Sequence, residues 1–374
     1  MSKIFPLYPP CDRALVRAKE CYQYDSEGRT YIDFESGVWC ANLGHSHERI
    51  ARAIAEQAEK NIHHGYKFTS PEAEELSQRL QELAGVENGS AVFLSSGSEA
   101  VELSIRVARH LTGRQKVLKI GNSYLSAYGV GRVDKGNQDM IEISADDMDA
   151  VDAMEFGEIA AFIMEVGGCS IDMVRVPSEP FIQKIVKACQ DSGCFVVAEE
   201  VTTGMGRMGY WFGYQHYGIQ PDMIVLGKAL GNGYPISSLM TNAATLEAFR
   251  ESGFIYAQSH QNDPMGCGVA MEVTRVLEDE DLLSASKTMG QYFKDELVKL
   301  MDKYPGKVHA VRGVGLMLGF EFAKDMDGHA VSDALFEQGF VVGFKSNTLR
   351  FLPPLNIGAE EIDKVIDAID KLLK

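Results

Sequence analysis

Lys228 places a primary amine at the end of a short apolar run, in the stretch VLGKALGNGYP at 225–235. A lysine in such surroundings can form a Schiff base with a carbonyl group, and its neutral form can carry a substrate proton. Apolar neighbours favour the neutral amine, and the flanking glycines let a ligand approach the backbone. The alternative is a lysine at a strand end that extends its ammonium group to solvent.

Two carboxylates end another apolar run, CFVVAEEV at 194–201. Because successive strand residues point to opposite faces, Glu199 and Glu200 are expected to have different surroundings. One of them is therefore a candidate to face a site while the other is a solvated or salt-bridged structural group, and a structural role is the safer interpretation for an acid pair that is not yet placed.

A serine-rich turn and a tyrosine follow two further apolar runs. Ser96, Gly97 and Ser98 stand where SAVFLSSG changes to a helical pattern. Free amides and the dipole at a helix start favour an anion such as phosphate, although a serine there is also an ordinary N-cap. Tyr124, just past QKVLKIGNS, belongs either to the core or to a stacking surface for a planar ligand.

Apolar runs that alternate with helical patterns must position these residues. The runs are SAVFLSSG, QKVLKIGNS, EIAAFIMEV, GCFVVAEEV and DMIVLGKAL, and the helical stretches between some of them include EPFIQKIVKACQDSG. The alternation predicts an α/β fold whose mostly parallel sheet is covered by helices, with ligands at the carboxyl ends of the strands. From about Asp281 a long amphipathic helix and short strands predict a second, smaller lobe.

Composition excludes several classes of function. The 374 residues contain 36 Lys and Arg against 53 Asp and Glu, a net charge of -17 that disfavours nucleic acid. The seven cysteines are scattered, as is typical of free thiols in a reducing cytosol. The N-terminus MSKIFPLYPP lacks a signal-peptide core, and no segment has the roughly 20 apolar residues of a membrane span. We expect a cytoplasmic protein with no membrane partner.

No metal site is expected from the sequence. His45 and His47 in GHSH are the histidines that suggest one, but nothing nearby in the sequence completes a ligand set.

Together these motifs resemble the class III aminotransferase family, which has fold type I and uses pyridoxal 5′-phosphate (PLP). The family's glycine-serine-glutamate-alanine turn is similar to SGSEAVE at 96–102, its DEVxTGxGRxG signature to EEVTTGMGRMG at 199–209, and its lysine segment to PDMIVLGKALGNGYPIS at 221–237. The likeness covers nearly the whole chain. It implies a large domain with a mostly parallel seven-stranded sheet flanked by helices, and a smaller α+β domain. The implied division is an N-terminal segment with part of the small domain at 1–45, the PLP-binding large domain at 46–265 and the small C-terminal domain at 266–374.

The resemblance implies a role for each residue of the cofactor site. Lys228 corresponds to the lysine that bonds to the cofactor aldehyde and then moves the substrate proton. The residues implied to hold the phosphate and the ring are Ser96, Gly97, Ser98, Tyr124 and Val201. Glu199 stands where the family has the aspartate that pairs with the pyridine nitrogen, and Thr202 where it has a glutamine near the ring hydroxyl. These two departures bear on rate and substrate preference more than on cofactor binding.

Three further positions concern the substrate and a partner subunit. Arg350 in TLRFLPPL corresponds to the arginine that grips a substrate carboxylate, with a structural ion pair as the alternative. Trp39 resembles a substrate-pocket residue of the omega-amine branch, although a core tryptophan is equally compatible with the sequence. Ser259 falls where the family has a threonine that reaches the cofactor phosphate of the neighbouring subunit. The resemblance therefore implies a homodimer with shared active sites.

We therefore expect a PLP-dependent transaminase that moves an amino group from an amino acid or omega-amine to a 2-oxo acid such as 2-oxoglutarate or pyruvate. A racemase, aminomutase or decarboxylase on the same scaffold is one alternative, and a PLP-binding regulatory protein without turnover is another. The segment MEVGGCSIDM at 164–173 lacks the second glutamate of some 2-oxoglutarate-using relatives. The family's way of switching Arg350 between substrates is thus expected to be absent or altered.

Overall fold

A computed structural model describes residues 5, 7, 11–132 and 137–374, and these ranges contain three β-sheets. The strands are β1 (Leu15–Lys19), β2 (Tyr22–Asp25), β3 (Thr30–Asp33), β4 (Ser90–Leu94), β5 (Lys116–Ile120), β6 (Met140–Ile143), β7 (Ile159–Met164), β8 (Phe195–Glu199), β9 (Met223–Leu226), β10 (Ser237–Thr241), β11 (Val308–Val314), β12 (Met317–Phe322), β13 (Phe340–Val341), β14 (Gly343–Lys345) and β15 (Thr348–Phe351).

Eleven α-helices lie in the same described ranges. They are α1 (Ser36–Trp39), α2 (Glu48–Lys60), α3 (Pro71–Ala84), α4 (Gly97–Thr112), α5 (Met148–Ala153), α6 (Glu179–Asp191), α7 (Ala243–Glu251), α8 (Pro264–Asp279), α9 (Leu282–Lys303), α10 (Gly328–Glu337) and α11 (Ala359–Leu373). None of these helices combines the length and the apolar character that crossing a membrane requires.

The largest sheet has seven strands in the order β4-β10-β9-β8-β7-β5-β6. Strands β6, β5, β7, β8 and β9 run parallel to one another, whereas β10 is antiparallel to both β9 and β4. Every residue of β7 and β9 is buried, as continuous apolar runs must be in a sheet covered on both faces. The predicted mostly parallel, seven-stranded sheet is confirmed.

Helix α4 begins shortly after β4 and is capped at both ends by residues close to it in the sequence. Ser96 and Glu99 form a reciprocal capping box at its start, and Gly113 ends it in the left-handed conformation at φ 71°. Its buried face includes Val101 and Ile105, so the helix packs against the sheet and fixes the turn at its N-terminus.

Two four-stranded sheets lie outside the large one, in the orders β1-β2-β3-β13 and β11-β12-β15-β14. Strand β13 pairs in parallel with β3, so strands from the two ends of the chain share one sheet. The predicted domain boundaries remain a proposal. This pairing supports the part that assigns the N-terminal segment to the small domain.

Gly290 generates the first prediction, because it lets α9 approach the turn between β11 and β12. A Cβ at this position would lie 2.2 Å from the carbonyl oxygen of Gly315, a backbone atom that cannot rotate away. Gly290→Ala should lower the free energy of unfolding in urea by about 1–3 kcal/mol, the cost of overpacking.

Gly306→Ala is the matched control, since no heavy atom lies within 4 Å of its added Cβ. Its effect should stay within about 0.5 kcal/mol. Equal losses in the two variants would show that α9 does not depend on this close approach.

Candidate active site

Lys228 follows β9 closely and begins a short 3-10 turn, Lys228–Gly231. Its φ of 44° is a left-handed backbone conformation that residues with a Cβ rarely adopt. The Nζ atom donates a hydrogen bond of 2.9 Å to Thr202 Oγ1 and lies 4.7 Å from the centroid of the Trp39 ring. The structure therefore brings Lys228, Thr202 and Trp39 together.

Glu199 ends β8, the strand beside β9, and is buried. Burial raises the pKa of Glu199 well above its usual value, and the negative charge of Glu165 raises it further. The charge of Lys228 opposes this shift, and Glu199 Oε1 accepts a hydrogen bond of 3.2 Å from the Val201 amide. A carboxylate so placed is ionised at low cost only beside a cation.

Glu200 has different surroundings, as the alternation along β8 predicts. Its carboxylate accepts bonds from the Thr203 hydroxyl at 2.6 Å and from the Gly213 and Tyr214 amides at 2.7 Å each. Burial raises the pKa of Glu200 to about 7, and these three hydrogen bonds oppose the shift. Its partners make Glu200 a structural group that holds the segment after β8.

The turn at the start of α4 offers an anion site. In the capping box, the Ser96 amide donates a hydrogen bond to the Glu99 carboxylate and the Glu99 amide donates one to the Ser96 hydroxyl. The amides of Gly97 and Ser98 are the next donors of this first helical turn. A Cβ added to Gly97 would lie 2.9 Å from both methyl groups of Val201, so only glycine leaves this space open.

Tyr124 and Ser259 are exposed, as is Ser96 among the predicted site residues. Tyr124 is 42% exposed on the segment after β5, which is tied to the α4 turn by a 2.9 Å bond from the Ala127 amide to Ser98 Oγ. Ser259 is exposed between α7 and α8, and it has no hydrogen bond to the other predicted site residues that the structure describes. Ser259 thus stands apart from the group around Lys228.

Arg350 forms an ion pair, the alternative that the sequence analysis gives for it, and the partner, Glu35, was not identified from the sequence. From β15, its Nε donates to Glu35 Oε1 at 3.0 Å and its Nη2 to Glu35 Oε2 at 2.6 Å, and both side chains are buried. Trp39 Nε1 donates to Glu35 Oε2 at 3.2 Å, and the Arg350 Cζ lies 4.4 Å from the Trp39 ring centroid. Burial raises the pKa of Glu35, and Arg350 opposes this shift.

A second ion pair that the sequence did not indicate joins the buried Glu165 to the partly buried Arg175. Arg175 Nη2 lies 3.5 Å from Glu165 Oε2, and the Gly168 amide donates to Glu165 Oε1 at 2.6 Å. Burial raises the pKa of Glu165, while Arg175 opposes the change. Glu165 follows β7 as Glu199 ends β8, so adjacent strands each deliver a buried carboxylate here. Its place just after an apolar run was the one available signal.

The histidines of GHSH have protein partners. His45 Nε2 lies 2.7 Å from Asp33 Oδ2, and His47 Nε2 lies 3.2 Å from Glu280 Oε1.

The chain matches the Aminotransferase class-III family over residues 8–128 and 121–373, and it belongs to this family. It is 32% identical to an acetylornithine aminotransferase of Aquifex aeolicus (strain VF5), over 96% of each chain. It is 29% identical to a leucine/methionine racemase of Thermococcus litoralis, with all of this chain and 94% of the relative covered. Among solved structures, the ornithine aminotransferase of Toxoplasma gondii, described with partial PLP occupancy at its active site, has a TM-score of 0.88 at 26% identity. That match covers 99% of this chain and 92% of the other.

The protein is accordingly a PLP-dependent transaminase of fold type I, as the sequence motifs predict. The residues present fit the cofactor: the α4 turn has amides for a phosphate, and a Cβ at Gly97 would fill the adjoining space. The buried carboxylate of Glu199 suits a protonated ring nitrogen, and the Lys228 amine suits an aldehyde. When bound, PLP supplies that aldehyde and a ring that accepts electron density.

Glu200 generates a prediction on the pH dependence of stability. Its pKa in the folded chain, about 7, lies above its ordinary value of 4.5. The stability that it contributes is therefore fully present below about pH 4.5 and is lost as the pH rises through about 7. Glu200→Gln cannot titrate, so the free energy of unfolding of the native protein minus that of the variant should fall by about 2–3 kcal/mol between pH 4.5 and 8. Urea unfolding curves at several pH values measure this difference, and a constant difference would contradict it.

Proposed function

We propose that this transaminase moves an amino group from an amino acid or omega-amine to a 2-oxo acid such as 2-oxoglutarate or pyruvate, with Lys228 as its catalytic lysine. The observation that carries the proposal is the position of the Lys228 amine, which contacts Thr202 and the Trp39 ring at the carboxyl end of β9. Arg350 contacts the same Trp39 ring, so a carboxylate-binding group lies near the amine.

Lys228 would move the substrate proton. Its amine is free to do so when unprotonated, and the Thr202 hydroxyl holds Nζ in place at 2.9 Å. Thr202 is therefore proposed to orient the lysine, a role different from the ring contact of the family's glutamine.

Glu199 is proposed to hold a proton on the ring nitrogen. Its burial makes an isolated negative charge costly, and a cationic nitrogen would offset that cost. The amides of Gly97 and Ser98, with the Ser96 cap, would hold the phosphate. Tyr124 and Val201 would contact the ring.

The ion pair of Arg350 and Glu35 would set substrate choice. A substrate carboxylate can bind Arg350 through two hydrogen bonds only if it replaces the Glu35 carboxylate. A substrate without a carboxylate would leave the pair intact, with Trp39 still donating to Glu35. Glu35 would thus be the glutamate that pairs with Arg350 when no substrate carboxylate is bound, in place of the second glutamate that the segment after β7 lacks.

A homodimer is proposed from exposed apolar side chains near the site. Tyr124, Tyr128 and Ile255 remain exposed in the single chain, the two tyrosines on the segment after β5 and Ile255 on the segment before α8. Exposed apolar clusters of this kind mark surfaces that another protein covers. Ser259, four residues from Ile255, would reach the phosphate of the partner's cofactor. A cytoplasmic location is also proposed, because all seven cysteines are free thiols.

The proposal is tested first at Lys228. Borohydride reduction of the protein with PLP, followed by peptide mapping, should fix the cofactor to the peptide that contains Lys228. Lys228→Ala should lose this label and essentially all transfer to a panel of 2-oxo acids. Lys287→Ala is the control, since this lysine also lies against an aromatic ring, 4.4 Å from the Tyr210 centroid.

A label on another lysine would refute the assignment. Label at Lys228 with racemisation or decarboxylation in place of amino transfer would support the alternative activities on this scaffold, of which the racemase relative is an example.

The substrate proposal is tested at Arg350 and Glu35. Arg350→Lys should lower kcat/KM for amino acids and 2-oxo acids by a factor that corresponds to about 1.5–3 kcal/mol of lost transition-state stabilisation, the size of a charged hydrogen bond. It should leave kcat/KM for amines without a carboxylate largely unchanged. Glu35→Gln keeps the shape and removes the competing charge, so it should shift selectivity towards carboxylate substrates by about 1–2 kcal/mol. If Glu35→Gln leaves the ratio of the two kcat/KM values unchanged, Glu35 has no part in substrate choice.

A further inference from the structure

Two imidazoles and a carboxylate converge at a second place in the fold. His63 Nδ1 lies 2.6 Å from Asp263 Oδ1, and His260 Nδ1 lies 2.6 Å from Asp263 Oδ2. The ring centroids of the two histidines are 4.9 Å apart. One ligand atom from each of the three residues lies within 4.8 Å of the others.

We propose that His63, His260 and Asp263 bind a divalent transition metal ion, with Zn²⁺ as the reference ion. Two imidazole nitrogens and one carboxylate oxygen are a donor set for zinc, cobalt or nickel, whereas magnesium and calcium take oxygen ligands. Both histidines are largely exposed, with 43% and 62% of their side chains accessible, so water can complete the coordination.

The orientation of Asp263 is an independent indication. Asp263 occupies the N-cap position of α8 in an extended conformation, but its side chain makes no capping hydrogen bond. Asp147 and Asp327, at the same position of α5 and α10, each accept a hydrogen bond from a backbone amide, whereas Asp281 at that position of α9 has a left-handed conformation and accepts none. The Asp263 carboxylate thus leaves the usual partner of an N-cap aspartate and faces the two imidazoles.

Hydrogen bonds to β4 fix the backbone of the segment that contains His260 and Asp263. The Asn262 amide donates to the Phe93 carbonyl and the Phe93 amide donates to Asn262 Oδ1, both at 2.9 Å, and Asn262 has a left-handed φ of 57°. The His260 amide donates to Gln258 Oε1 at 2.8 Å. Ligands whose backbone is already fixed lose less freedom when a metal binds.

Bound metal would join two distant parts of the chain. His63 lies three residues after α2 ends, and the other two ligands lie just before or at the start of α8. The ion would therefore fasten the segment that contains Ser259 to the segment after α2. A cavity of about 200 Å³ lined by Ser95, His260 and Asp263 adjoins the cluster and has room for metal-bound water.

The test is Zn²⁺ binding to the holoenzyme after chelator treatment and removal of the chelator. Isothermal titration with Zn²⁺ alone should give one ion per chain, and elemental analysis should give the same ratio. His63→Gln, His260→Gln and Asp263→Asn should each weaken this binding about tenfold or more. His329→Gln is the matched control, because His329 is 59% exposed and also faces an aspartate, with Nε2 3.6 Å from Asp333 Oδ2.

Two further measurements distinguish a bound metal ion from a triad held by hydrogen bonds alone. Co²⁺ in place of Zn²⁺ should show the weak visible bands of nitrogen and oxygen ligands without a thiolate band, and His63→Gln should abolish them. Zn²⁺ should raise the melting temperature of the native protein and of His329→Gln, but not of the three ligand variants. Stoichiometric zinc that survives in the ligand variants, a thiolate band, or no binding at all would overturn the proposal and leave a hydrogen-bonded triad.

Discussion

Buried carboxylates at the carboxyl ends of adjacent strands impose the main electrostatic constraint on this structure. Glu165 follows β7, Glu199 ends β8 and Glu200 comes directly after it, so three buried acids lie within a few residues of one sheet edge. Each is balanced differently. Glu165 faces the guanidinium of Arg175, and Glu200 accepts three hydrogen bonds. Glu199 accepts one hydrogen bond, from the Val201 amide, and the charge of Lys228 lies nearby. Of the three acids it therefore has the fewest hydrogen bonds to its carboxylate, which leaves its oxygen atoms available to a cationic ligand. This imbalance supports the proposal that Glu199 pairs with a positively charged ring nitrogen.

A buried arginine, Arg207, lies next to the segments that form the ion pair of Arg350 and Glu35. The guanidinium of Arg207 is fully buried, and burial lowers its pKa to about 10. It donates to four neutral oxygen atoms, those of the Leu316 and Pro353 carbonyls, the Ser36 hydroxyl and the Asn42 side chain. Ser36 follows Glu35, and Pro353 lies three residues after Arg350. Arg207 therefore links the two segments whose side chains form the ion pair.

The sequence predicts those parts of the proposed site that depend on residues close together in the chain. Lys228, Glu199 and the α4 turn each follow an apolar run, and the carboxyl ends of parallel strands meet at one edge. Glu35 could not be predicted, because it pairs with a residue 315 positions away and the packing of β15 against the N-terminal segment brings them together. His63 and Asp263 are likewise 200 residues apart. Pattern and spacing report which residues share an element, whereas partners on different elements depend on tertiary packing.

The two departures from the family pattern are related through the contacts of β8 and the residues after it. Glu199 is one methylene longer than aspartate, and its carboxylate accepts the amide of Val201, two residues on. Thr202 is shorter than glutamine, and its hydroxyl accepts a hydrogen bond from Lys228 Nζ. The longer acid and the shorter polar residue lie three positions apart on one segment, and they act on Lys228 in different ways. Thr202 holds the amine through a hydrogen bond, whereas Glu199 interacts with it through charge. An acid at 199 and a hydroxyl at 202 therefore divide between them the electrostatic and the positioning contacts of this lysine.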